Sequence, residues 1–268
     1  LGRLILPRLQ LVEIEDQAWC PALLRDAMTD FLRFFMEKVL PYSAAAPLLA
    51  RALARMEEPR VVDLCSGGGG PWRDLVQRVP AAGGPAVRVR LTDAYPNLAA
   101  YARLSEATGG VIEAEPEPVR VTDVPERLAG FRTLFTALHH FRPPAARAIL
   151  ADAVRRRCGI GVFEITERSF LSLISMLALP VMVLLATPFI RPFRWSRLLL
   201  TYLVPLVPLA VWFDGTVSCL RSYRPAELLD LARGPGDDRY AWEAGVVRSA
   251  SLVTRMTYLI GVPPARPG

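Results

Sequence analysis

Residues 60–70 of the chain, Arg-Val-Val-Asp-Leu-Cys-Ser-Gly-Gly-Gly-Gly, are the stretch that decides the fold. The β-branched run at its start is typical of a short buried strand. This strand delivers an acidic residue, Asp63, just before a glycine-rich turn that leads into a predicted helix over residues 72–79. Glycines let a backbone approach a ligand closely, and the N–H groups at the start of a helix can hold a carboxylate. The stretch therefore predicts a strand–turn–helix site for an anionic group.

Strands and helices alternate after this turn, and helices precede it. This order is typical of an α/β domain in which helices cover both faces of a doubly wound sheet. We expect strands at 60–64, 87–93, 119–121, 133–137 and 160–164, helices at 44–56, 72–79, 98–107, 144–156 and 224–232, and a closing antiparallel pair at 240–248 and 252–260. The prediction is a mostly parallel, seven-stranded sheet with N-terminal helices and an apolar helical insertion after the fifth strand.

A second carboxylate, Asp93, ends the second predicted strand, thirty residues after Asp63. A carboxylate at the end of a parallel strand can accept hydrogen bonds from both hydroxyls of a ribose. The pair would also suit a nicotinamide dinucleotide, although those folds usually carry an apolar residue at the position of Asp63. With an acid before its glycines, the stretch resembles motif I of class I S-adenosylmethionine-dependent methyltransferases, acidic-x-Gly-x-Gly-x-Gly. Cys65 stands at the first glycine position of that motif.

The resemblance implies a Rossmann-like fold, a methyltransferase activity and S-adenosylmethionine as the cofactor. It implies that the turn from Gly67 to Gly69 surrounds the methionine part of the cofactor, that Asp93 binds the ribose and that Asp123 lies near the adenine amino group. The full set of expected cofactor-binding residues is Asp63, Cys65, Ser66, Gly67, Gly68, Gly69, Asp93, Ala94, Asp123, Val124 and Ala137.

Three further residues are candidates for catalysis: His139, His140 and Glu164, which follow or end the fourth and fifth predicted strands. One imidazole could act as a general base that removes a proton from the methyl acceptor. In many members of the family, however, a similar Leu-His-His stretch only begins the next helix. Glu164 is expected either to orient the acceptor or to form an ion pair with Arg168.

Charge and cysteine usage exclude several classes of function. The net charge is +6 and the pI about 9.5, which would suit a nucleic-acid partner. The basic residues are nearly all scattered arginines, however, so no nucleic acid is expected. The four cysteines form no Cys-x-x-Cys pair and the only two histidines are adjacent, so no metal site is expected. The beginning of the chain lacks the order of a signal peptide, which favours a cytoplasmic protein.

The segment 170–213 is unusually apolar. Residues 170–190 and 198–213 carry no charge, and between them Arg191, Arg194 and Arg197 surround Trp195. The first run is long enough to cross a bilayer, but prolines at 180, 188, 205 and 208 argue against two straight spanning helices. We expect a hairpin that dips into one leaflet. A transmembrane hairpin, a lipophilic lid and a homo-oligomer interface stay open.

The predicted division follows from these features. Residues 1–57 form an N-terminal helical cap, 58–169 and 214–268 form the cofactor-binding domain, and 170–213 form the insertion. After it, Asp214, Arg221 and Tyr223 are expected to return the chain to the sheet through a turn, or to close the acceptor pocket.

Three functions are compatible with the sequence. The first is methyl transfer to a lipophilic small molecule by a cytoplasmic protein that is peripheral or monotopic on a membrane. The second is a non-catalytic protein that uses the same fold to dock on a membrane or a partner. The third, which the scattered arginines disfavour, is methylation of a nucleic acid.

Overall fold

The computed structural model describes residues 6–39, 42–233, 240–248 and 255–264. In chain order, its helices and strands are α1 (Ala22–Val39), α2 (Ala45–Leu53), β1 (Arg60–Leu64), α3 (Trp72–Ala81), β2 (Arg88–Leu91), α4 (Leu98–Ala107), β3 (Ile112–Ala114), β4 (Phe131–Phe135), α5 (Pro143–Arg155), β5 (Ile160–Glu164), α6 (Phe170–Met176), α7 (Leu179–Ala186), α8 (Trp195–Leu198), α9 (Leu206–Arg221), α10 (Pro225–Ala232), β6 (Ala241–Arg248) and β7 (Arg255–Val262). Short 3-10 turns cover Leu138–His140 and Thr187–Phe189, and a π turn covers Leu199–Leu203.

The chain divides into two compact units. The helical unit consists of Leu1–Val39 and Thr166–Tyr223 and contains α1 and α6 to α9. The sheet unit consists of Leu40–Ile165 and Arg224–Gly268 and contains every strand of the described residues. Helix α2 belongs to the sheet unit. The functional division into 1–57, 58–169 with 214–268, and 170–213 stays a prediction.

The sheet unit is built on one seven-stranded sheet in the order β3-β2-β1-β4-β5-β7-β6. Strand β1 pairs in parallel with β2 on one side and β4 on the other, so that Asp63 lies opposite Leu91 and Thr133. The expectation of a mostly parallel sheet was wrong, because β7 runs antiparallel to both β5 and β6 and makes the sheet mixed. Only residues 249–254 separate β6 from β7, whereas a parallel crossover needs a dozen residues or more.

Most predicted elements of the sheet unit are present. The strands 60–64 and 160–164 and the helix 98–107 have the predicted bounds, and the closing antiparallel pair forms as β6 and β7. Residues 252–254, where the last strand was predicted to begin, lie outside the described residues. Asn97 caps α4, because its side-chain oxygen accepts a hydrogen bond from the N–H of Ala100 at 3.1 Å.

The third predicted strand, 119–121, was wrong. The third strand of the structure is β3, which pairs with β2 after the glycines at 109 and 110. The Val-Arg-Val alternation at 119–121 instead lies in a loop, where Arg120 forms an isolated bridge with Asp123. The N–H of Val119 donates to the carbonyl oxygen of Asp93 at 2.8 Å, and this bond links the loop to the residue just beyond β2.

The helical unit has its own apolar core. Leu24, Met28 and Phe31 on one side of α1 pack in one cluster with Val183 of α7 and Val207 of α9. Burial of a side chain of this size stabilises a fold by about 1.5–3 kcal/mol. This cluster therefore gives α1 and the apolar segment a common core.

Helix α9 replaces the turn that was expected after residue 213. The helix continues through Asp214 to Arg221, so the expectation of a turn back to the sheet at these residues was wrong. The carboxylate of Asp214 accepts hydrogen bonds from the N–H groups of Ile14 at 2.7 Å and Glu15 at 3.0 Å. Burial raises the pKa of Asp214 to about 6, although these two N–H groups oppose the rise. The residues thus hold the N-terminal segment on α9.

Candidate functional site

The glycine-rich turn between β1 and α3 has a strained, well-anchored backbone. The N–H of Ser66 donates to the carbonyl oxygen of Thr92, and the N–H of Thr92 donates to that of Asp63, both at 2.9 Å. Cys65 has a φ of 57° and Gly67 a φ of 52°. The left-handed conformation costs a residue with a side chain about 1–2 kcal/mol. Cys65 therefore occupies a position that glycine would hold without strain, which agrees with its place in the motif.

Asp63 lies beneath this turn and braces it. Its side chain is 1% exposed, and its two oxygens accept hydrogen bonds from the hydroxyls of Ser66 and Thr133, both at 2.6 Å. Burial raises the pKa of Asp63 to about 6, against the opposing effect of the two hydroxyls. Because Ser66 belongs to the turn and Thr133 to β4, Asp63 joins the turn to two neighbouring strands.

Asp93 lies beside the same turn, at the carboxyl end of β2. One carboxylate oxygen accepts a hydrogen bond from the N–H of Gly67 at 2.8 Å, and the other accepts one from the N–H of Tyr95 at 2.9 Å. Asp93 and Ala94 are both half-buried. A carboxylate can accept about four hydrogen bonds, so the oxygens of Asp93 have capacity for a further donor such as a ribose hydroxyl.

The glycines of the turn differ in how much space surrounds them. Gly67 is exposed, and a Cβ built on it would have no atom within 4 Å. Gly68 is half-buried, and at Gly69 a Cβ would lie 2.0 Å from the Cδ1 atom of Leu104. Gly67 thus offers open backbone to a ligand, whereas Gly69 permits close packing of the turn on α4. This open backbone beside a half-buried carboxylate fits an adenosyl group with an amino-acid end.

The loop after β3 carries Asp123, which was assigned to the adenine, and Val124, another expected cofactor-binding residue. Asp123 is exposed and Val124 is buried. The bond between Val119 and Asp93 ties this loop to the end of β2. The structure therefore brings Asp63, the turn and Asp93 together, and it fixes the adjoining loop to the same strand end.

The candidate catalytic residues form a second cluster, at the carboxyl ends of β4 and β5. Glu164 is 1% exposed, and one of its oxygens accepts the N–H groups of Leu138 at 2.8 Å and His139 at 3.3 Å. Its other oxygen lies 2.7 Å from Nδ1 of His139, a side chain that is also 1% exposed. The ring of the half-buried His140 lies 4.3 Å from the His139 ring. Of the two roles predicted for Glu164, orienting the acceptor stays a prediction, whereas the hydrogen bonds of Glu164 run to Leu138 and His139 and not to Arg168.

The contact between His139 and Glu164 orients the imidazole and favours one tautomer of its neutral form. A carboxylate that accepts a hydrogen bond from Nδ1 holds the proton of a neutral imidazole there, and this leaves Nε2 as the basic nitrogen. Ala137, which immediately precedes the 3-10 turn that carries these histidines, is 6% exposed.

Two tyrosines and a threonine near these clusters were missed by the sequence reasoning. Tyr42 forms a hydrogen bond through its hydroxyl with Thr136, which has a φ of 46° at the end of β4. Tyr101 of α4 is fully buried, and its pKa is raised by burial first and by the carboxylate of Asp93 second. In the sequence, Tyr101 looks like an ordinary apolar position of a helix, and Tyr42 lies between two predicted helices. The one signal for Thr136 is that it is a polar residue directly after a parallel strand, β4, where ligands of α/β sheets bind.

Comparison with known proteins identifies the fold. No protein-family model and no curated protein matches the chain. Among solved structures, the plantazolicin methyltransferase BpumL in complex with SAH matches 93% of this chain and 94% of its own, with a TM-score of 0.54 and 10% identity. Human N-acetylserotonin methyltransferase in complex with SAM matches 90% of this chain and 56% of its own, with a TM-score of 0.52 and 10% identity. The chain has the S-adenosylmethionine-dependent methyltransferase fold.

This finding confirms the resemblance of the glycine-rich turn at the level of the fold. The pyocyanin biosynthetic protein PhzM is also similar, over 85% of this chain at a TM-score of 0.50 and 15% identity. The chain spans less than two thirds of several solved structures that it matches, namely 60%, 59% and 56% of three of them. The fold rests on the similarity of whole structures, whereas the geometry of the turn rests on its own dihedral angles and hydrogen bonds.

Proposed function

We propose that the protein transfers a methyl group from S-adenosylmethionine to a small molecule. The observation that carries this proposal is the hydrogen bond between Gly67 and Asp93, which holds a carboxylate beside open backbone at the ends of two parallel strands. Ligands of open α/β sheets bind at such strand ends. The three similar structures named above are, by their names, a plantazolicin methyltransferase, an N-acetylserotonin methyltransferase and a pyocyanin biosynthetic protein, which favours a small-molecule acceptor.

Different residues would hold the different parts of the cofactor. The turn from Cys65 through Ser66 to Gly69 would hold the amino-acid end, with Asp63 as its brace, and Asp93 with Ala94 would bind the ribose. Asp123, Val124 and Ala137 would line the adenine. When bound, S-adenosylmethionine supplies an electrophilic methyl on a sulfonium centre, and the protein then has to position a nucleophile in line with it.

His139 is the proposed general base, and Glu164 is its positioning residue. The 2.7 Å contact to Glu164 orients the imidazole so that Nε2 can take a proton from the acceptor. His140 remains a second candidate for this role, because it is less buried and its ring is adjacent.

The acceptor is proposed to be lipophilic and the protein to work at a membrane surface on the cytoplasmic side. Support comes from the segment 170–213, in which apolar side chains are exposed to an extent that soluble monomers rarely show. The non-catalytic alternative shares this segment and differs in lacking affinity for the cofactor.

Calorimetric titration of S-adenosylmethionine tests the cofactor assignment. We expect Asp93→Asn to bind about 10- to 100-fold more weakly, because it loses a charge-assisted hydrogen bond to the ribose but retains an acceptor for Gly67. Glu106→Gln, at an exposed position of α4 in the same unit, is the matched control and should bind like the wild type. A folded wild type that does not bind the cofactor would overturn the enzyme proposal in favour of the docking protein.

Formation of S-adenosylhomocysteine with a panel of lipophilic phenols and acids tests the catalytic pair. We expect Glu164→Gln to lower kcat by about 100-fold or more, with an unchanged Kd for the cofactor and a shifted pH profile, because it disturbs the imidazole rather than the cofactor site. Equal kcat values for Glu164→Gln and wild type would remove His139 and Glu164 from the mechanism.

A further inference from the structure

The segment 170–213 exposes far more apolar surface than the rest of the described chain. It carries 19 of the 26 exposed large hydrophobic side chains. Five of them, which we call the apolar face, are more than two thirds exposed: Leu171 at 77%, Leu185 at 68%, Phe189 at 70%, Trp195 at 77% and Leu203 at 74%. The helical stretch Phe170–Phe189 has a mean hydropathy of 2.3 and is only 11% buried. It is therefore not a core helix.

The charges within the segment 170–213 are all positive, although Asp26 and Asp30 of α1 bond to two of them, Arg194 and Arg197. No acidic residue occurs between positions 169 and 213, where the only charged residues are Arg191, Arg194 and Arg197. Arg197 is 2% exposed and is bound to Asp30 at 2.6 Å, whereas Arg191 and Arg194 are exposed beside Trp195. Arginine attracts anionic headgroups, and tryptophan prefers the boundary between headgroups and acyl chains. This composition matches an anionic lipid surface.

We propose that the helical unit inserts its apolar face into one leaflet of an anionic phospholipid bilayer, with Arg191 and Arg194 among the headgroups. The proposal deepens the proposed membrane location of the enzyme. Its test uses no cofactor, so its failure and the failure of the methyltransferase assignment are separate results.

The turn at residues 190–197 excludes a transmembrane hairpin. Arg194 bonds to Asp26 at 3.1 Å, Arg197 to Asp30, and Arg33 to the carbonyl oxygen of Arg191 at 2.5 Å, so the turn is held to the middle of α1. Helix α1 also carries Glu37 and Lys38. A hairpin that delivered this turn across the bilayer would take these charges of α1 with it, at a prohibitive cost.

The bend in the second half of the segment also favours insertion from one side. The helices Trp195–Leu203 and Leu206–Arg221 are long and apolar enough to span a membrane only when they are taken together. They are bent by 78° relative to each other. A pair bent so sharply cannot cross a bilayer as one straight rod, but it can lie in one leaflet with its apolar side down. The bend is at Pro205, which precedes α9.

A second copy of the chain fits this face less well than lipid does. A two-fold interface would place the segment against its own copy, where Arg191 would meet the like charges of the segment, while the neighbouring Asp26 and Asp30 already bond to Arg194 and Arg197. An anionic leaflet supplies the opposite charge.

Flotation of the purified protein with phosphatidylcholine vesicles, with and without phosphatidylglycerol, tests the proposal. We expect stronger binding to the anionic vesicles and an about 25-fold loss of that partition coefficient in the Arg191→Gln, Arg194→Gln double variant. Arg88→Gln with Arg103→Gln, two exposed arginines of the sheet unit, is the matched control and should bind like the wild type. The triple variant Leu171→Ser, Leu185→Ser, Leu203→Ser should lose binding to both vesicle types.

Iodide quenching of Trp195 tests the one-leaflet topology. The fluorescence difference between the wild type and Trp195→Phe reports this residue alone. We expect iodide added outside the vesicles to quench it as far as a position at the headgroup boundary allows, with no further quenching when iodide is also trapped inside. Quenching that requires iodide inside the vesicles would show a transmembrane hairpin. A stable dimer that binds neither vesicle type would show that a second copy covers the face. Either result overturns the proposal.

Discussion

At the scale of single residues, the motif does not separate the functions of two carboxylates, Asp63 and Asp93. The sequence presents Asp63 as a cofactor residue, and the structure gives both of its oxygens a hydroxyl partner from the protein. Its contribution is therefore to position the turn, whereas the half-buried Asp93 is the carboxylate with capacity for a ligand. Cys65 supports the same view, because its left-handed φ of 57° is a strain that the anchored turn has to hold in place.

Asp63 should make the stability of the protein depend on pH. Burial raises its folded-state pKa from 3.8 to about 6, so the folded chain binds this proton more tightly than the unfolded chain. The resulting stabilisation is fully present below the unfolded pKa and is lost as the pH rises through about 6. Because Asn cannot ionise, the free energy of unfolding of Asp63→Asn relative to the wild type should rise by about 2–3 kcal/mol between about pH 4 and pH 7.

Urea unfolding of both proteins at the two pH values measures this difference, and the comparison cancels the contributions of all other carboxylates. Gln77→Asn, at an exposed position of α3 that carries no titratable group, is the control and should show a difference that does not change with pH. A pH-independent difference for Asp63→Asn as well would mean that the buried carboxylate keeps an ordinary pKa.

At the scale of elements, the sequence predicted those whose pattern is local. Strand β1 with its turn, strand β5 and helix α4 have the expected bounds, because β-branched runs, glycines and the Asn97 cap act within a few residues. The third strand was misplaced because Val-Arg-Val at 119–121 alternates like a strand, whereas the edge of the sheet was completed by the equally short β3. Alternation does not reveal which of two short segments finds a partner strand.

The apolar segment shows that local patterns are also insufficient to predict where a helix ends. Pro205 and Pro208 indicated a break, and the chain does bend there, but α9 then continues for a further two turns past the predicted end of the insertion. In this continuation Asp214 accepts hydrogen bonds from the N–H groups of Ile14 and Glu15, about two hundred residues away in the sequence. The pairing of His139 with Glu164 is likewise non-local, since two strand ends bring the residues together. No spacing rule could have predicted either contact.

At the scale of the whole molecule, the chain combines a methyltransferase fold with a helical unit that exposes many large apolar side chains to water. This exposure is energetically unfavourable. Burying half-exposed side chains of this size is worth about 1 kcal/mol each, so removing several from water together is a strong driving force for association. In the absence of lipid, the same driving force has to act between copies of the protein.

We therefore expect the wild type to self-associate in lipid-free buffer, and the Leu171→Ser, Leu185→Ser, Leu203→Ser variant to be monomeric by sedimentation velocity. Because these side chains are 68–77% exposed, their loss removes little burial, and Tm should fall by only about 2–4 °C for the modest loss of helix propensity. Val183→Ser, at a position of α7 that is 0% exposed, is the contrasting variant and should lose about 3 kcal/mol or more while still self-associating. A wild type that is monomeric without lipid, and a triple variant that melts like Val183→Ser, would place the apolar face inside the folded protein.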